Sequence, residues 1–548
     1  MDQYLRPGVY IQELPGPQLI SAVTTSNTAF VGLTELGQPN QATLITSWNQ
    51  YVSTFGGFMW SCQLPFAVYS FFIQGGALCY VVPVAAPGMA KAQHVSEPLT
   101  ITAAGPGSWG DSLYVSIANF PPSGPATPDA PDGPLAPVTP VFAIYVRYKM
   151  PPAGQPLSLS DQLVQSYALA NKVQAAVADG ETYYTVESYP GFTIADLQKT
   201  ATQPSNLETR INSQSLFIRV TVDAANMSTR PPNQVPTPLA GGVGDSETTP
   251  LQIPAALSAL DILNNISLLV SPETVSISDL GIQRDVVLET ISYVEDRPHL
   301  DLFYIVDPPC GLSVTDVVAF KTGAASDAVP TGNALHSSYG AIYYPWVDIL
   351  DPTSNKIIPV PPSGIMAGTY ASADNQVGPW QVAAGITYGA LGIATGLEYY
   401  VTDADQDVLN PQGVNAIRSL VNYGIVAYGG RTLSTDPSLI YISVRRLLIE
   451  VEVSLYWGLQ WVVFEPNTPR LQGTVTRDVT EFLTEMWAAG ALGGTTAQQA
   501  FQVQCDASNN PPETQMAGQL IIDIKIRPVY PAEFVIIRIQ QATLGSGS

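Results

Sequence analysis

The residue types that could do chemistry are few in this chain, and their spacing serves no common reaction. There are three histidines, His94, His299 and His336, and four cysteines, Cys62, Cys79, Cys310 and Cys505. No Cys-x-x-Cys pair, no His-Glu-x-x-His run and no histidine pair at helical spacing occurs, so no zinc-ligand pattern is present. Asp403, Asp405 and Asp407 in DADQD alternate like the first ligands of a calcium loop. Val408 stands where that loop needs Gly, and the closing Glu is missing, so the run reads as the solvated start of a helix. GPGSWG (105–110) has the letters of a dinucleotide fingerprint. It lies between two strand-like runs, LTITAA and DSLYVSI, with no following helix to seat a pyrophosphate, and reads as a turn. The chain has no Gly-Lys pair for a phosphate loop and no Gly-x-Ser-x-Gly elbow. His299 precedes the strand-like DLFYIV, and His336 sits in the loop-like SDAVPTGNALHSSYG. These readings assign no catalytic residue, no cofactor and no metal, and no enzyme is expected.

Composition narrows the class further. Of 548 residues 46% are apolar and only 12% charged, about half the usual share of roughly 25%. So few charges fit a chain that hides much of its surface against other subunits. The balance of 22 basic to 45 acidic residues, net −23, repels phosphate, so no nucleic-acid partner is expected. The scattered cysteines read as free, buried thiols of a protein made in a reducing cytosol. No secretory start and no apolar run of about 18 residues that could insert into a bilayer is seen.

The elements that must carry any function are legible in outline. RPGVYIQELPG (6–16) reads as a strand bounded by Pro7, Pro15 and Pro17, with apolar side chains on both faces. TAFVGL (28–33) reads as a buried strand, SWNQYVSTFGGF (47–58) as a helix stopped by Gly56 and Gly57, and 64–84 as helix, Gly-Gly stop and strand. From 99 to 222 strand-like runs alternate with turns, and 121–140 carries eight prolines, a surface excursion. Beyond a flexible run at 231–250, strands alternate with helices, which argues for a largely parallel sheet. DPSLIYISVRRLLIEVEVSLYWGLQW is expected to be a helix capped by Asp436, with Pro437 in its first turn. Its apolar face is Val444, Leu447, Leu448, Val451, Leu455 and Leu459. A second helix is expected over 474–490, with Asp478, Glu481 and Glu485 along one side beside Arg477. Two strands, GQLIIDIKIRPV and AEFVIIRIQQ, close the chain.

Nine stretches together resemble contractile tail sheath proteins of bacteriophages and of phage-tail-like contractile injection systems. They include RPGVYIQELP (6–15), PGSWGDSLYVSI (106–117), YYPWVDILDP (343–352), VPPSGIMAG (360–368), LNPQGVNAIRSLVNYGIVAYGGRTLS (409–434), YISVRRLLIEVEVSLYWGLQWVVFEPN (441–467) and PAEFVIIRI (531–539), in the family's order over nearly the whole chain. Ser372 stands where the family commonly has Arg, and Tyr428 where it often has Trp. The resemblance implies an α/β, multidomain (α+β) fold. A conserved α/β core is completed by terminal β-strand arms, a subtilisin-like α/β middle domain lacks a triad, and a mostly β insertion projects outward. Placed on this chain, the parts are an N-terminal arm (1–24), a small α/β part (25–95), the insertion (96–228), a linker (229–250), the subtilisin-like domain (251–412), the C-terminal core (413–530), and a C-terminal arm with a disordered tail (531–548).

An apolar strand at each end of the chain lacks an obvious local partner, and unpaired edges invite another chain. The resemblance implies that such arms reach into neighbouring subunits, which makes Val9, Tyr10, Ile11, Phe534, Val535, Ile536 and Ile537 inter-subunit residues. It further implies stacked six-fold rings of this chain around an inner tube, extended and metastable, that contract to drive the tube through a target envelope. The implied partners are the chain itself, the inner tube protein, baseplate and tail-terminator or cap proteins, and other sheath paralogues. The implied setting is synthesis in a bacterial cytoplasm and assembly into a phage tail or a tail-like particle, released or anchored. Arg477, Asp478, Glu481 and Glu485 are the candidate contact to the tube. The alternatives are a subtilisin-like hydrolase and a static surface shell.

Overall fold

The computed structural model describes residues 20–60, 62–85, 88–120, 141–152, 155, 157–178, 180–200, 202–243, 252–536 and 538. Val9, Tyr10, Ile11, Ile537, the proline-rich run 121–140 and the end of the linker lie outside the described residues. The chain divides into two compact units, residues 24–445 and a second that joins 446–548 to 1–23.

The first unit is organised by an eight-stranded sheet. Its strands are β1 (Thr28–Gly32), β2 (Thr43–Ile45), β3 (Cys79–Pro83), β4 (Leu268–Val270), β5 (Phe303–Val306), β6 (Gly340–Tyr344), β7 (Val414–Leu420) and β8 (Gly424–Ala427), in the order β8-β7-β6-β5-β4-β1-β3-β2. The six strands from β7 to β3 are parallel, and the edges β8 and β2 run antiparallel. TAFVG, LLV, FYIV and GAIYY are buried along their whole length, as befits parallel strands covered on both faces. The covering helices are α1 (Trp48–Phe55), α2 (Leu64–Gln74), α3 (Leu280–Asp296), α4 (Val314–Thr322) and α5 (Ser363–Gln376). α2 and α5 meet backbone to backbone. A Cβ on Gly364 would lie 2.4 Å from the Ala67 Cα, and one on Gly368 2.6 Å from the Phe71 carbonyl.

Between β3 and β4 the chain leaves the sheet to build the β insertion. Gln93–Ser96, Leu99–Ala103 and Ile218–Val222 form a three-stranded sheet. Leu113–Phe120, Val141–Lys149, Ala175–Ala178, Glu181–Phe192 and Gln234–Pro238 form a five-stranded one, and every pairing in both is antiparallel. The insertion thus extends one strand beyond the expected 228. GPGSWG leads into a 3-10 turn at Ser108–Ser112, and DADQD opens the short helix Asp403–Leu409, where Thr402 and Asp405 cap each other.

The strand order bears on two of the expected boundaries. The stretch 25–95, expected as a small α/β N-terminal part of the core or middle region, supplies β1, β2 and β3, which lie in one sheet with β4 to β8. The core expected from 413 starts later, because β7 and β8 are the last strands of this sheet and the unit runs to Arg445. Parallel strands pair across long crossovers, so no local pattern reveals which ones share a sheet.

Helix α6 (Ile442–Gly458) spans the division between the units. It does not begin at Asp436. That carboxylate instead accepts from the Ser438 amide and hydroxyl in a tight turn. Nor is it buried on one face only, since Arg445, Arg446 and Glu450 are buried with the apolar residues. The second unit continues with α7 (Pro469–Ala488), capped by the Thr468 hydroxyl at the Leu471 amide. It ends in an antiparallel pair, β9 (Phe501–Gln504) and β10 (Asp523–Ile526). Residues 20–23 pack on this unit. The Val23 amide donates to Ser454 Oγ at 3.0 Å, and Ile20 is buried so close to Gly458 that a Cβ there would lie 2.6 Å from it.

Candidate functional site

An open α/β sheet receives ligands beyond the carboxyl ends of its strands, where the strand order reverses. Here that point lies between β1 and β4, and it is filled from within. Glu273, just past β4, is fully buried. Its Oε1 accepts from the amides of Gln63 at 2.7 Å and Leu64 at 2.9 Å, at the start of α2, and Ser276 Oγ donates to its Oε2 at 3.0 Å. Gly32 at the end of β1 makes room, since a Cβ there would lie 2.6 Å from Glu273 Cγ. The carboxylate occupies the seat at a helix N-terminus that would otherwise suit an anion.

The neighbouring strand repeats the device. Asp307, just past β5, accepts from the Ser363 amide at 2.8 Å and the Ser363 hydroxyl, at the start of α5. Burial pushes both carboxyls up to about 7, against hydrogen bonds that favour the charged form. Ser363 is the serine of the VPPSGIMAG stretch. It is fully buried, and its hydroxyl donates to a carboxylate. His94 lies against Gln234 at 2.6 Å and His336 against Thr435 at 3.1 Å. Among the described residues no group of three or more His, Cys, Asp and Glu could hold a metal ion. No helix among them is long and apolar enough to cross a membrane.

The second unit carries the opposite arrangement, a sheet left unfinished. β9 and β10 have four residues each and, among the described residues, pair only with each other. α7 packs beside β9. An isolated two-stranded sheet is marginal in water. The chain that follows carries Phe534, Val535 and Ile536 at 71%, 79% and 77% exposure, outside any strand. The described residues 534–536 of the expected terminal strand are therefore apolar and exposed.

The structure separates the four residues expected to form one charged face on α7. Glu485 and Arg477 are exposed and Glu481 is half-buried. Asp478 is only 2% exposed. Its Oδ1 accepts from Arg477 at 2.9 Å, and its Oδ2 has no hydrogen-bond partner. Asp478 belongs to the buried side with Val475, Val479, Phe482 and Met486. The stripe of acids runs along the border of the apolar face, and spacing alone cannot tell which side of the border a residue takes. Glu273, Asp307 and Ser363 were not singled out from sequence. The available signal is an acid placed directly after a fully apolar strand run, as in LLVSPE and FYIVD.

Residues 434–542 match the phage tail sheath C-terminal domain. The tail sheath protein of Vibrio phage KVP40 is 24% identical over 235 residues, 42% of this chain and 34% of that protein. That of Enterobacteria phage T4 is 24% identical over 250 residues, 44% and 36% of the two chains. The matched region therefore spans about a third of the length of these relatives. The fold is similar to the helical sheath of the anti-feeding prophage in its contracted state (TM-score 0.55, 21% identity, 98% of this chain and 99% of that one). It is likewise similar to the sheath complex of the extracellular contractile injection system PVC in its contracted state (TM-score 0.53, 19% identity, 99% of each).

The two buried carboxyls make a pH dependence. Unfolded they titrate at 4.5 and 3.8, folded at about 7. The folded state therefore holds extra protons between those values, and this contribution to stability is full below the unfolded pKa and lost as pH rises through the folded one. Glu273→Gln removes one of the two titrations. Denaturant titrations at about pH 5 and about pH 8 should show wild-type stability falling relative to this variant as pH rises. A wild-type-to-variant difference that does not change with pH contradicts the assignment.

Proposed function

We propose that the chain is a tail sheath protein, a contractile sheath subunit that polymerises around an inner tube and drives the tube through a target envelope. The single observation that carries this reading is the unfinished sheet of β9 and β10, in the same unit as an exposed apolar segment at 534–536. Strands contributed by other copies, among them the N-terminal run with Val9, Tyr10 and Ile11, complete that sheet and link stacked six-fold rings. The links hold while the bodies they join move between two packings. No nucleotide motif occurs in the sequence, so the work of contraction comes from the free-energy difference between an extended, metastable packing and a contracted one.

The partners in this account are further copies of the chain, paralogous sheath subunits, the inner tube, a baseplate and a tail-terminator or cap protein. Its setting is a phage tail or tail-like particle assembled in a bacterial cytoplasm. The parallel-sheet unit is taken to be of subtilisin-like descent without its activity. What favours this is that Ser363 is buried and donates to Asp307, and that Glu273 fills the crevice at the strand-order reversal. The contact with the tube is assigned to Arg477, Glu481 and Glu485 on α7. Exposed pairs of this kind are worth about 0–1 kcal/mol each, weak enough to release during contraction. Asp478 drops out of the contact because it is buried.

Electron microscopy tests the assembly reading. Full-length protein, alone or with its tube protein, should give long hollow tubes, and a chain lacking residues 1–17 should give none. Tubes from both would discard the donated N-terminal strand, and dispersed subunits even in the presence of the tube protein would contradict the sheath itself. The tube contact is tested by Glu481→Lys with Glu485→Lys. These changes should leave the subunit folded, because neither residue is buried, and should prevent extended sheaths from forming on tubes. Normal sheaths on tubes from this double variant would remove α7 from the contact.

A further inference from the structure

The turn after α6 holds a side chain that the subunit itself does not use. Phe464 is fully exposed, at 101%, and its backbone lies in the left-handed region at φ 71°. For a bulky aromatic residue that conformation is an outlier. Strain of this kind persists only where the surroundings impose it, and it clusters at functional positions. The surroundings here are firm. The Val463 amide donates to the Gln460 carbonyl at 3.3 Å and the Glu465 amide to the Val462 carbonyl at 3.0 Å. Pro466 follows at once. Asn467 Nδ2 donates to the Gln519 carbonyl at 2.9 Å, and Gln472 Nε2 donates to Asn467 Oδ1 at 2.9 Å. The turn is thus tied to α7 and to the segment that leads into β10. Val463 and Met516 add exposed apolar surface from the two segments joined by that tie. A strained backbone held by four side-chain and backbone hydrogen bonds, ending in an aromatic ring in water, is a presented knob.

The occupant follows from where the described chain begins. Ile20 is buried against Gly458 at the end of α6, six residues upstream of Phe464. The 19 residues before Ile20 include the apolar run VYIQEL between Pro7 and Pro15, expected from the sequence to be a strand. At roughly 3.3 Å per residue the segment reaches about 60 Å, twice the width of a domain of this size, so it can leave its own subunit.

We infer that Phe464 is an anchor for a second copy of this chain, against which that copy lays the apolar side chains of its N-terminal segment. The inference rests on the proposed self-assembly and adds the residue that receives the arm. The ring fills the role of a buried aromatic hot spot, whose loss raises the concentration needed for assembly by roughly tenfold or more.

The test uses Phe464→Asn in the full-length chain, because Asn tolerates positive φ and lacks the ring. The subunit's melting temperature should stay the same or rise, while the protein concentration at which tubes appear should rise about tenfold. A variant that assembles like wild type overturns the anchor and leaves the sheath reading intact. A variant with a lowered melting temperature also overturns it, because the ring would then serve its own subunit. Wild-type protein that never assembles overturns both. A benzoylphenylalanine probe at position 464 in tubes grown from isotopically mixed subunits identifies the occupant. Crosslinks should reach residues 1–19 of a different copy, and crosslinks to the same copy or to any other region overturn the assignment.

Discussion

Backbone amides and carbonyls that leave water must find partners, and the structure meets this demand in two opposed ways. In the first unit Glu273 and Asp307 supply partners from within to the starts of two helices. In the second, among the described residues, the pair β9 and β10 stops at two strands. Phe534, Val535 and Ile536 stand exposed beyond β10 and outside any strand. In the proposed account, strands from other copies supply further hydrogen bonds to this pair.

In the first unit the sheet's own side chains take up helix starts at its carboxyl edge. Glu273 and Asp307 are placed directly after β4 and β5, and each caps the helix whose start faces it. Glu273 also joins segments on either side of the insertion, since α2 precedes it in the chain and β4 follows it. The same carboxylate therefore closes the crevice and fastens the first part of the sheet to the rest. The close backbone contact of α2 with α5 at Gly364 and Gly368 adds rigidity to that face.

Much of this was legible in the residues, and the rest was hidden for definite reasons. Strands such as TAFVG, FYIV and GAIYY show as unbroken apolar runs because parallel strands are buried on both faces. The insertion shows through its alternating strands and its eight prolines at 121–140. The pairing of β1 with β4 across the whole insertion has no local signature, and so the single sheet that 25–95 and 413–427 share was not legible. Asp436 followed by Pro437 has the composition of a helix start. Ser438 captures the carboxylate in a turn, and the helix waits until Ile442. Asp478 looked like its neighbours Glu481 and Glu485 because all three share one side of α7, yet the apolar border passes between them. The left-handed backbone of Phe464 is invisible in the letters VVFEPN.

Hydrogen–deuterium exchange on the full-length chain, dispersed and then assembled, tests most directly the claim that the open sheet is completed by other copies. The account predicts that amides of residues 501–504 and 523–526 and of the N-terminal residues 1–19 exchange quickly in the dispersed subunit and become strongly protected together on assembly. Unchanged exchange at these residues in assembled tubes would contradict it.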